Sequence, residues 1–310
     1  MKSPRIFIAL GDPAGIGAEI TYKALIDPSI RCLGEFIVIG DKTGNKIDNI
    51  KVPGVRFIDL GFIKNKVKFG QACAFYGKAS ANYLIRAHQM IKAGYADCLV
   101  TAPVNKAAIN ESGIKFSGQT EFLAGLSRVD KFLMLLVWPK IRVSLVTRHI
   151  PLNKVSLNLN VNNICETIKL TNFGLKKYFS VKDPQIAICG LNPHASDNGI
   201  LGDEERFIIK PAIKKCKIKG VSGPYPADSL FYRKGFDAFV AMYHDQGLIP
   251  VKSFGMAKVV NMTIGLPFIR TSPGHGTAFE IAGKNIADPA SMKEAIKLAV
   301  SSYKNSYVNS

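Results

Sequence analysis

Five histidines occur in the chain: His88, His149, His194, His244 and His275. All but His88 follow short apolar runs and sit in polar or Gly/Pro-rich surroundings. A neutral imidazole is the commonest protein ligand for a divalent metal. Three such rings delivered from three strand ends could hold one ion and leave positions open for a substrate. The separations along the chain are non-local, so spacing alone does not choose the three. His88 differs, because Ile85-Arg86-Ala87-His88 falls inside a helical pattern and reads as structural.

Two Gly-rich stretches could approach a ligand closely. The first is Gly11-Asp12-Pro13-Ala14-Gly15-Ile16-Gly17, between a strand-like run and a helical one. Its glycines permit a tight turn and close backbone approach, although an ordinary strand–helix turn would look the same. The spacing is not G-x-G-x-x-G, and neither that string nor a Walker loop occurs elsewhere, so a standard Rossmann site and a P-loop are both disfavoured. The second is Ser272-Pro273-Gly274-His275-Gly276-Thr277-Ala278, ahead of a helix-like stretch, Ala278–Ala282. Small residues around a histidine suit a loop against a flat heteroaromatic ring.

Residues 237–283 carry the densest chemistry. A buried strand pattern delivers His244-Asp245-Gln246, and Lys252, Asn261 and Arg270 follow among apolar residues. Lys and Arg are rarely buried without a partner, so these positions read as anion capture, with surface charge flanking strands as the plainer alternative. An Arg offers bidentate contacts to phosphate or carboxylate, and a Lys offers a point charge. Arg270 carries the strongest signal, because Pro267-Phe268-Ile269 precede it.

The elements that must position these groups alternate. Strands are expected at Arg5–Leu10, Glu35–Ile39, Asp97–Thr101, Phe132–Val137, Arg142–Thr147, Gln185–Gly190, Asp237–Met242 and Val259–Thr263. Helices are expected at Gly17–Ile26, Lys78–Ala93, Val161–Tyr178, Glu204–Lys217 and Pro289–Tyr303. This pattern predicts an α/β fold with a largely parallel sheet. Gly113–Gly118 is the clearest segment boundary, and with no long linker the two lobes are expected to share one sheet system. Ligands in such sheets sit beyond the C-terminal strand ends, where Asp12, Asn105, His149, His194 and His244 fall.

Composition narrows the class. The chain has 310 residues, 47% of them hydrophobic, enough for a sizeable core. No apolar run reaches the roughly 18 residues of a membrane span, and the opening stretch to Leu10 lacks the segments of a signal peptide, so a cytoplasmic protein without membrane partners is expected. Six cysteines form no C-x-x-C pair and read as buried reduced thiols. The net charge of +18 raises nucleic acid as a remote alternative partner. Its basic residues are dispersed and carry no nucleic-acid motif, so a lysine-rich surface that attracts small anions is the better reading, with no nucleic acid bound.

Taken together the motifs resemble the 4-hydroxythreonine-4-phosphate dehydrogenase family of vitamin B6 synthesis. The matching strings are GDPAGIG (11–17), TAPVNKAAI (101–109), FSGQTEF (116–122), LVTRHIPL (145–152), CGLNPHASDNG (189–199), GPYPADSLF (223–231), AMYHDQGL (241–248), VNMTIGLPFIRTS (260–272) and HGTAFEIAG (275–283). They run in the family's order and cover essentially the whole chain. The resemblance implies an isocitrate/isopropylmalate dehydrogenase-like two-lobed α/β fold and a homodimer whose active sites are shared between subunits. It implies one divalent metal per site (zinc, magnesium or cobalt) on His149, His194 and His244. It places substrate at Gln119, Thr120, Lys252, Asn261 and Arg270, and NAD or NADP against His275, Gly276 and Thr277.

The implied reaction is oxidation of the C3 hydroxyl of 4-phosphooxy-L-threonine, then decarboxylation to 3-amino-2-oxopropyl phosphate. Asp228 and Asp245 are the candidate general bases, and each could equally orient a ligand histidine. The chain departs from the family in two places. Gln119 stands where the family usually has histidine, and the segment Ser253-Phe254-Gly255-Met256 is shorter and less Gly-rich. The first departure keeps open a paralogous dehydrogenase of 4-phospho-D-threonate or 4-phospho-D-erythronate.

Overall fold

The computed structural model describes residues 3–42, 52–139, 141–255 and 258–308. Among these, eleven strands form: β1 (Arg5–Ala9), β2 (Glu35–Gly40), β3 (Val55–Asp59), β4 (Cys98–Thr101), β5 (Leu133–Trp138), β6 (Ile141–Leu145), β7 (Ile186–Cys189), β8 (Val221–Tyr225), β9 (Ala238–Ala241), β10 (Val260–Ile264) and β11 (Ile269–Pro273). Two compact units contain them. Unit 1 is Met1–Asp130 with Ala257–Lys304, and unit 2 is Lys131–Met256 with Asn305–Ser310.

In unit 1 the strands run in the order β3-β2-β1-β4-β11-β10. All neighbours are parallel except β10 and β11, where Thr263 lies opposite Arg270. β1 is apolar after Arg5 because a central parallel strand is covered on both faces, and Ile6, Phe7, Ile8 and Ala9 are fully buried. The helix Ala74–Lys92 packs against β1 and β2 and buries Tyr83 and Leu84.

In unit 2 the order is β5-β6-β9-β7-β8, with β5 and β6 an antiparallel pair and the rest parallel. The helix Val161–Phe179 starts at a capping box. The Asn160 side chain accepts from the backbone of Asn162 and Asn163, and the Asn163 side chain accepts from the Asn160 backbone. Its apolar face, Ile164, Ile168 and Leu175, packs with Ile186, Ile188 and Val240 in one core. Truncating Ile168 there to alanine would cost about 2–5 kcal/mol.

The expected strands all form, within a residue or two of their expected ends, and β3, β8 and β11 are additional. The five expected helices also form, although the stretch from Glu204 begins with a π-helical turn, Glu205–Ile209, before the α-helix Lys210–Cys216. Two expectations fail. Ala278–Ala282 is a series of turns rather than a helix, and Ala278 adopts φ 45°, which helical backbone excludes. Gly113–Gly118 joins two helices inside unit 1, and the division between units falls after residues 130, 256 and 304 instead. All six cysteines are free thiols; Cys98, Cys165, Cys189 and Cys216 are buried as expected, whereas Cys32 is exposed and Cys73 half-buried. Among the described residues no helix is long and apolar enough to cross a membrane.

Candidate active site

The parallel strands of unit 2 end in the polar residues singled out by sequence. His149 lies beyond β6, His194 beyond β7, and His244 opens the helix His244–Ser253 directly after β9. The rings of His149 and His244 stand together, centroids 5.7 Å apart. His244 Nδ1 lies 2.6 Å from Asp245 Oδ1. That carboxylate holds the proton on Nδ1 and leaves the Nε2 lone pair available, the arrangement found behind metal-ligating histidines.

His194 is not part of this pair. It is exposed and begins a left-handed turn of five consecutive non-glycine residues, His194 to Asn198, with φ of 54°, 52°, 71°, 44° and 58°. Left-handed backbone costs L-residues roughly 1–2 kcal/mol each, so the turn persists only because its surroundings impose it. Among the described residues no group of three His, Cys, Asp or Glu side chains could hold a metal ion. The structure therefore brings together two of the three expected ligands. Side-by-side imidazoles, one backed by a carboxylate, fit a divalent cation that draws its remaining ligand from elsewhere.

Three side chains, Glu205, Gln246 and Thr147, tie these strand ends together. Glu205 is buried, and its carboxylate accepts from Leu191 N at 2.7 Å, Asn192 N at 2.8 Å and Asn192 Nδ2 at 2.9 Å. It thereby anchors the backbone that enters the His194 turn. Gln246 accepts from Met242 N and donates to Gly190 O, both at 2.7 Å, and so joins the end of β9 to the end of β7. The Thr147 hydroxyl donates to Met242 O at 2.7 Å and joins the end of β6 to the same point. Nothing in local sequence marks Glu205, because its partners are backbone groups of a distant loop.

A cavity of about 390 Å³ opens in unit 2 beside these groups. Its lining includes Asp228, Tyr232, Asp245, Gln246, Ile249 and Phe254. Both candidate bases thus line one cavity, with Asp245 also engaged to His244. Lys252 lies in the last turn of the same helix and is half-buried. Of the departing segment, Ser253 to Gly255 close this helix, and Met256 lies outside the described residues.

Unit 1 carries the other expected substrate positions. Arg270 is 2% exposed. Its Nε and Nη2 donate to Thr101 Oγ1, Nη1 donates to Thr120 Oγ1 and Thr263 Oγ1, and Nη2 also donates to Gln119 Oε1 at 3.2 Å. Each acceptor is a neutral oxygen. Burial pulls the guanidinium down to about 10, opposed by the charge of Glu121, so it stays cationic at neutral pH. Gln119 opens the helix Gln119–Ser127 and donates from Nε2 to Ala102 O at 3.1 Å. Asn261 stands on β10 with Oδ1 buried and without a hydrogen-bond partner. Thr101, Gln119, Thr120, Thr263 and Arg270 are therefore one cluster, and Thr101 and Thr263 are members that the sequence reading missed.

The two Gly-rich loops meet in the same unit. Ile16 N donates to Thr277 O at 3.1 Å, and a Cβ on Gly15 would stand only 3.1 Å from Thr277. Gly11, at φ 73°, leaves no room for a side chain against Pro103 O. Asp12 Oδ2 and His275 Nε2 are buried without hydrogen-bond partners, and a Cβ on Gly276 would meet open space. Unsatisfied polar atoms beside an open glycine fit the edge of a flat, hydrogen-bonding ring such as a nicotinamide. His88 is structural: it is buried, Nε2 lies 3.1 Å from Ser127 Oγ, and the ring packs edge-on to Phe268.

Comparison with known proteins adds sequence and fold evidence. The family described as pyridoxal phosphate biosynthetic protein PdxA matches residues 22–299. A 4-hydroxythreonine-4-phosphate dehydrogenase of Sulfurihydrogenibium sp. (strain YO3AOP1) is 42% identical over 316 residues, covering 96% of this chain and 97% of the relative. A D-threonate 4-phosphate dehydrogenase of Cupriavidus necator is also 42% identical, over 320 residues, covering 95% and 96%. The crystal structure of a Klebsiella pneumoniae 4-hydroxythreonine-4-phosphate dehydrogenase superposes with TM-score 0.84 at 34% identity, covering 97% and 98%. An isocitrate dehydrogenase from Methylococcus capsulatus superposes at TM-score 0.52 and 12% identity over all of this chain and 88% of its own, a likeness of fold.

Proposed function

The chain belongs to the family of pyridoxal phosphate biosynthetic protein PdxA, and from that premise we propose that it oxidises the C3 hydroxyl of 4-phosphooxy-L-threonine, with NAD or NADP as acceptor, in a cytoplasmic homodimer. The β-keto acid so formed loses CO2 and yields 3-amino-2-oxopropyl phosphate. Membership of a dehydrogenase family displaces the nucleic-acid reading of the charge.

The observation that carries the substrate class is Arg270. A buried cation held by neutral hydroxyls and one amide retains its charge for an incoming anion. Phosphate oxygens are stronger acceptors than threonine hydroxyls and replace some of them on binding. Asn261 adds a buried, unsatisfied amide oxygen for a substrate N–H or O–H. Thr120 and Gln119 stand beside the guanidinium, and Lys252, half-buried in unit 2, is a further cation that suits an anionic substrate.

His149 and His244 would hold the divalent cation, with Asp245 orienting His244, and His194 of a second copy would complete the set. A cation bound there supplies a Lewis acid that makes a substrate hydroxyl more acidic and polarises a ketone. Asp245 is committed to His244 Nδ1, which leaves Asp228 as the carboxylate that takes the C3 hydroxyl proton. His275, Gly276 and Thr277 with Asp12 would bind a nicotinamide ring and exclude water, and that ring would supply the hydride acceptor. The second copy is supported by the exposed apolar side chains of unit 2. Leu152, Leu157, Ile200, Leu201 and Phe207 flank His149 and His194 in sequence and need a cover.

One other reading has an observation in its favour. The D-threonate 4-phosphate dehydrogenase is as similar as the biosynthetic relative, and Gln119 departs from the family's usual histidine, so a 4-phospho-D-threonate or 4-phospho-D-erythronate dehydrogenase shares every feature above. Purified protein stripped with a chelator is expected to lose reduction of NAD or NADP by 4-phosphooxy-L-threonine and to regain it with zinc, magnesium or cobalt. Turnover that persists in metal-free protein would sink the metal reading.

A further inference from the structure

Arg270 meets five neutral oxygen contacts, and a guanidinium has five N–H groups. Four of these contacts are to threonine hydroxyls, which can rotate and release the guanidinium. The fifth, Gln119 Oε1, belongs to an amide whose other end is tied to the Ala102 carbonyl at the end of β4. The two contacts fix each other. Arg270 can only donate, so the amide must turn its oxygen to Arg270. Ala102 O can only accept, so the amide must turn its nitrogen there. Gln119 therefore bridges a rigid backbone point and one guanidinium nitrogen, and the bridge carries no charge at any pH.

We propose that Gln119 is a positioning residue for Arg270 that selects dianionic substrates by holding the guanidinium with an uncharged acceptor. A carboxylate at this position would make a bidentate pair with Arg270 and cancel its charge before a substrate arrived. A histidine would accept from Arg270 only as neutral imidazole and would repel it when protonated. Glutamine supplies the acceptor without either effect. Gln119 thus adds no negative charge to that of Glu121, which already acts on the guanidinium, and the neutral hydroxyls are the groups that exchange for phosphate oxygens.

This inference rests on the phosphorylated-alcohol reading, and two measurements keep the two apart. The first is steady-state kinetics on wild type, Gln119→Glu and Gln119→Met with 4-phosphooxy-L-threonine and its D-threonate and D-erythronate analogues. Gln119→Glu is expected to raise KM for whichever compound turns over by about a hundredfold, and Gln119→Met by about tenfold, with kcat within about threefold in both. The second is calorimetric binding of inorganic phosphate, which needs no turnover: affinity should fall in the same order. Thermal unfolding separates positioning from folding. Gln119→Glu exchanges the bond to Ala102 O for an ion pair to Arg270, so a merely structural role predicts lost stability with unchanged KM, whereas positioning predicts a raised KM whatever the change in unfolding temperature. Unchanged KM and unchanged phosphate affinity in Gln119→Glu overturn the inference. Phosphate binding that responds to the substitutions, in a protein that oxidises none of the three alcohols, leaves the inference standing and removes the proposed function.

Discussion

Asp12 gives the account a quantitative test. It follows β1, is 1% exposed, and accepts from Ala14 N at 2.8 Å through Oδ1, while Oδ2 is buried without a partner. Burial raises its pKa from 3.8 to about 6, against the opposing pull of backbone N–H groups of Ala14 and Asn105. The folded state therefore binds this proton more tightly than the unfolded chain does. Below about pH 4 both states are protonated and the group is neutral to stability. Between about pH 4 and pH 6 the unfolded chain ionises first, and stability falls as pH rises; above that window the full penalty persists. Two pKa units correspond to about 3 kcal/mol. Asp12→Asn keeps the Oδ1 acceptor and removes the ionisation. Its stability relative to wild type should therefore rise by about 3 kcal/mol between about pH 3 and pH 7.5, whatever constant offset the new amide adds. Urea denaturation of both proteins at the two pH values reads this directly. A difference that stays constant with pH, within about 0.5 kcal/mol, would refute the reasoning that burial dominates at Asp12. A residue that lowers stability at neutral pH and lies at the meeting of two glycine loops fits a group kept for ligand binding.

Two further outcomes follow from unit 2. Glu205→Gln replaces an oxygen that accepts from Asn192 with a donor, and hydrogen bonds to charged acceptors are worth about 1.5–3 kcal/mol each, so denaturant titration should show a loss of about 2–4 kcal/mol together with weaker metal binding. Mixing inactive His194→Ala with inactive His244→Ala subunits should restore roughly a quarter of wild-type activity, since in the proposed homodimer a mixed pair rebuilds one intact site. Mixing His149→Ala with His244→Ala should restore none, because those two rings stand together in one chain.

Much of this is legible in the sequence itself. The central strands β1, β2, β4, β7 and β9 are short apolar runs bounded by polar or glycine residues, and His149, His194 and His244 follow β6, β7 and β9 because ligand groups collect at strand ends. Other elements hid for physical reasons. β8 contains Gly223 and Pro224, which argue against a strand, yet it lies at the end of the unit 2 order, where a missing N–H is tolerated. The helix His244–Ser253 contains Gly247 and Pro250, both poor helix formers. Gly247 is nonetheless required, since a Cβ there would press on Leu145. β11 reads as a polar run, Arg270-Thr271-Ser272, and is buried because its polar groups bond to other elements. The role of Gln119 was opaque because it depends on Ala102 and Arg270, both distant in sequence.

The central claim is that the site oxidises a four-carbon phosphorylated amino acid. It is tested most directly by kcat/KM for reduction of NAD and NADP with 4-phosphooxy-L-threonine, 4-phospho-D-threonate and 4-phospho-D-erythronate on metal-loaded protein. The account predicts the highest value for 4-phosphooxy-L-threonine, at least about tenfold above either analogue. A higher value for either analogue, or turnover with none of the three, would contradict it.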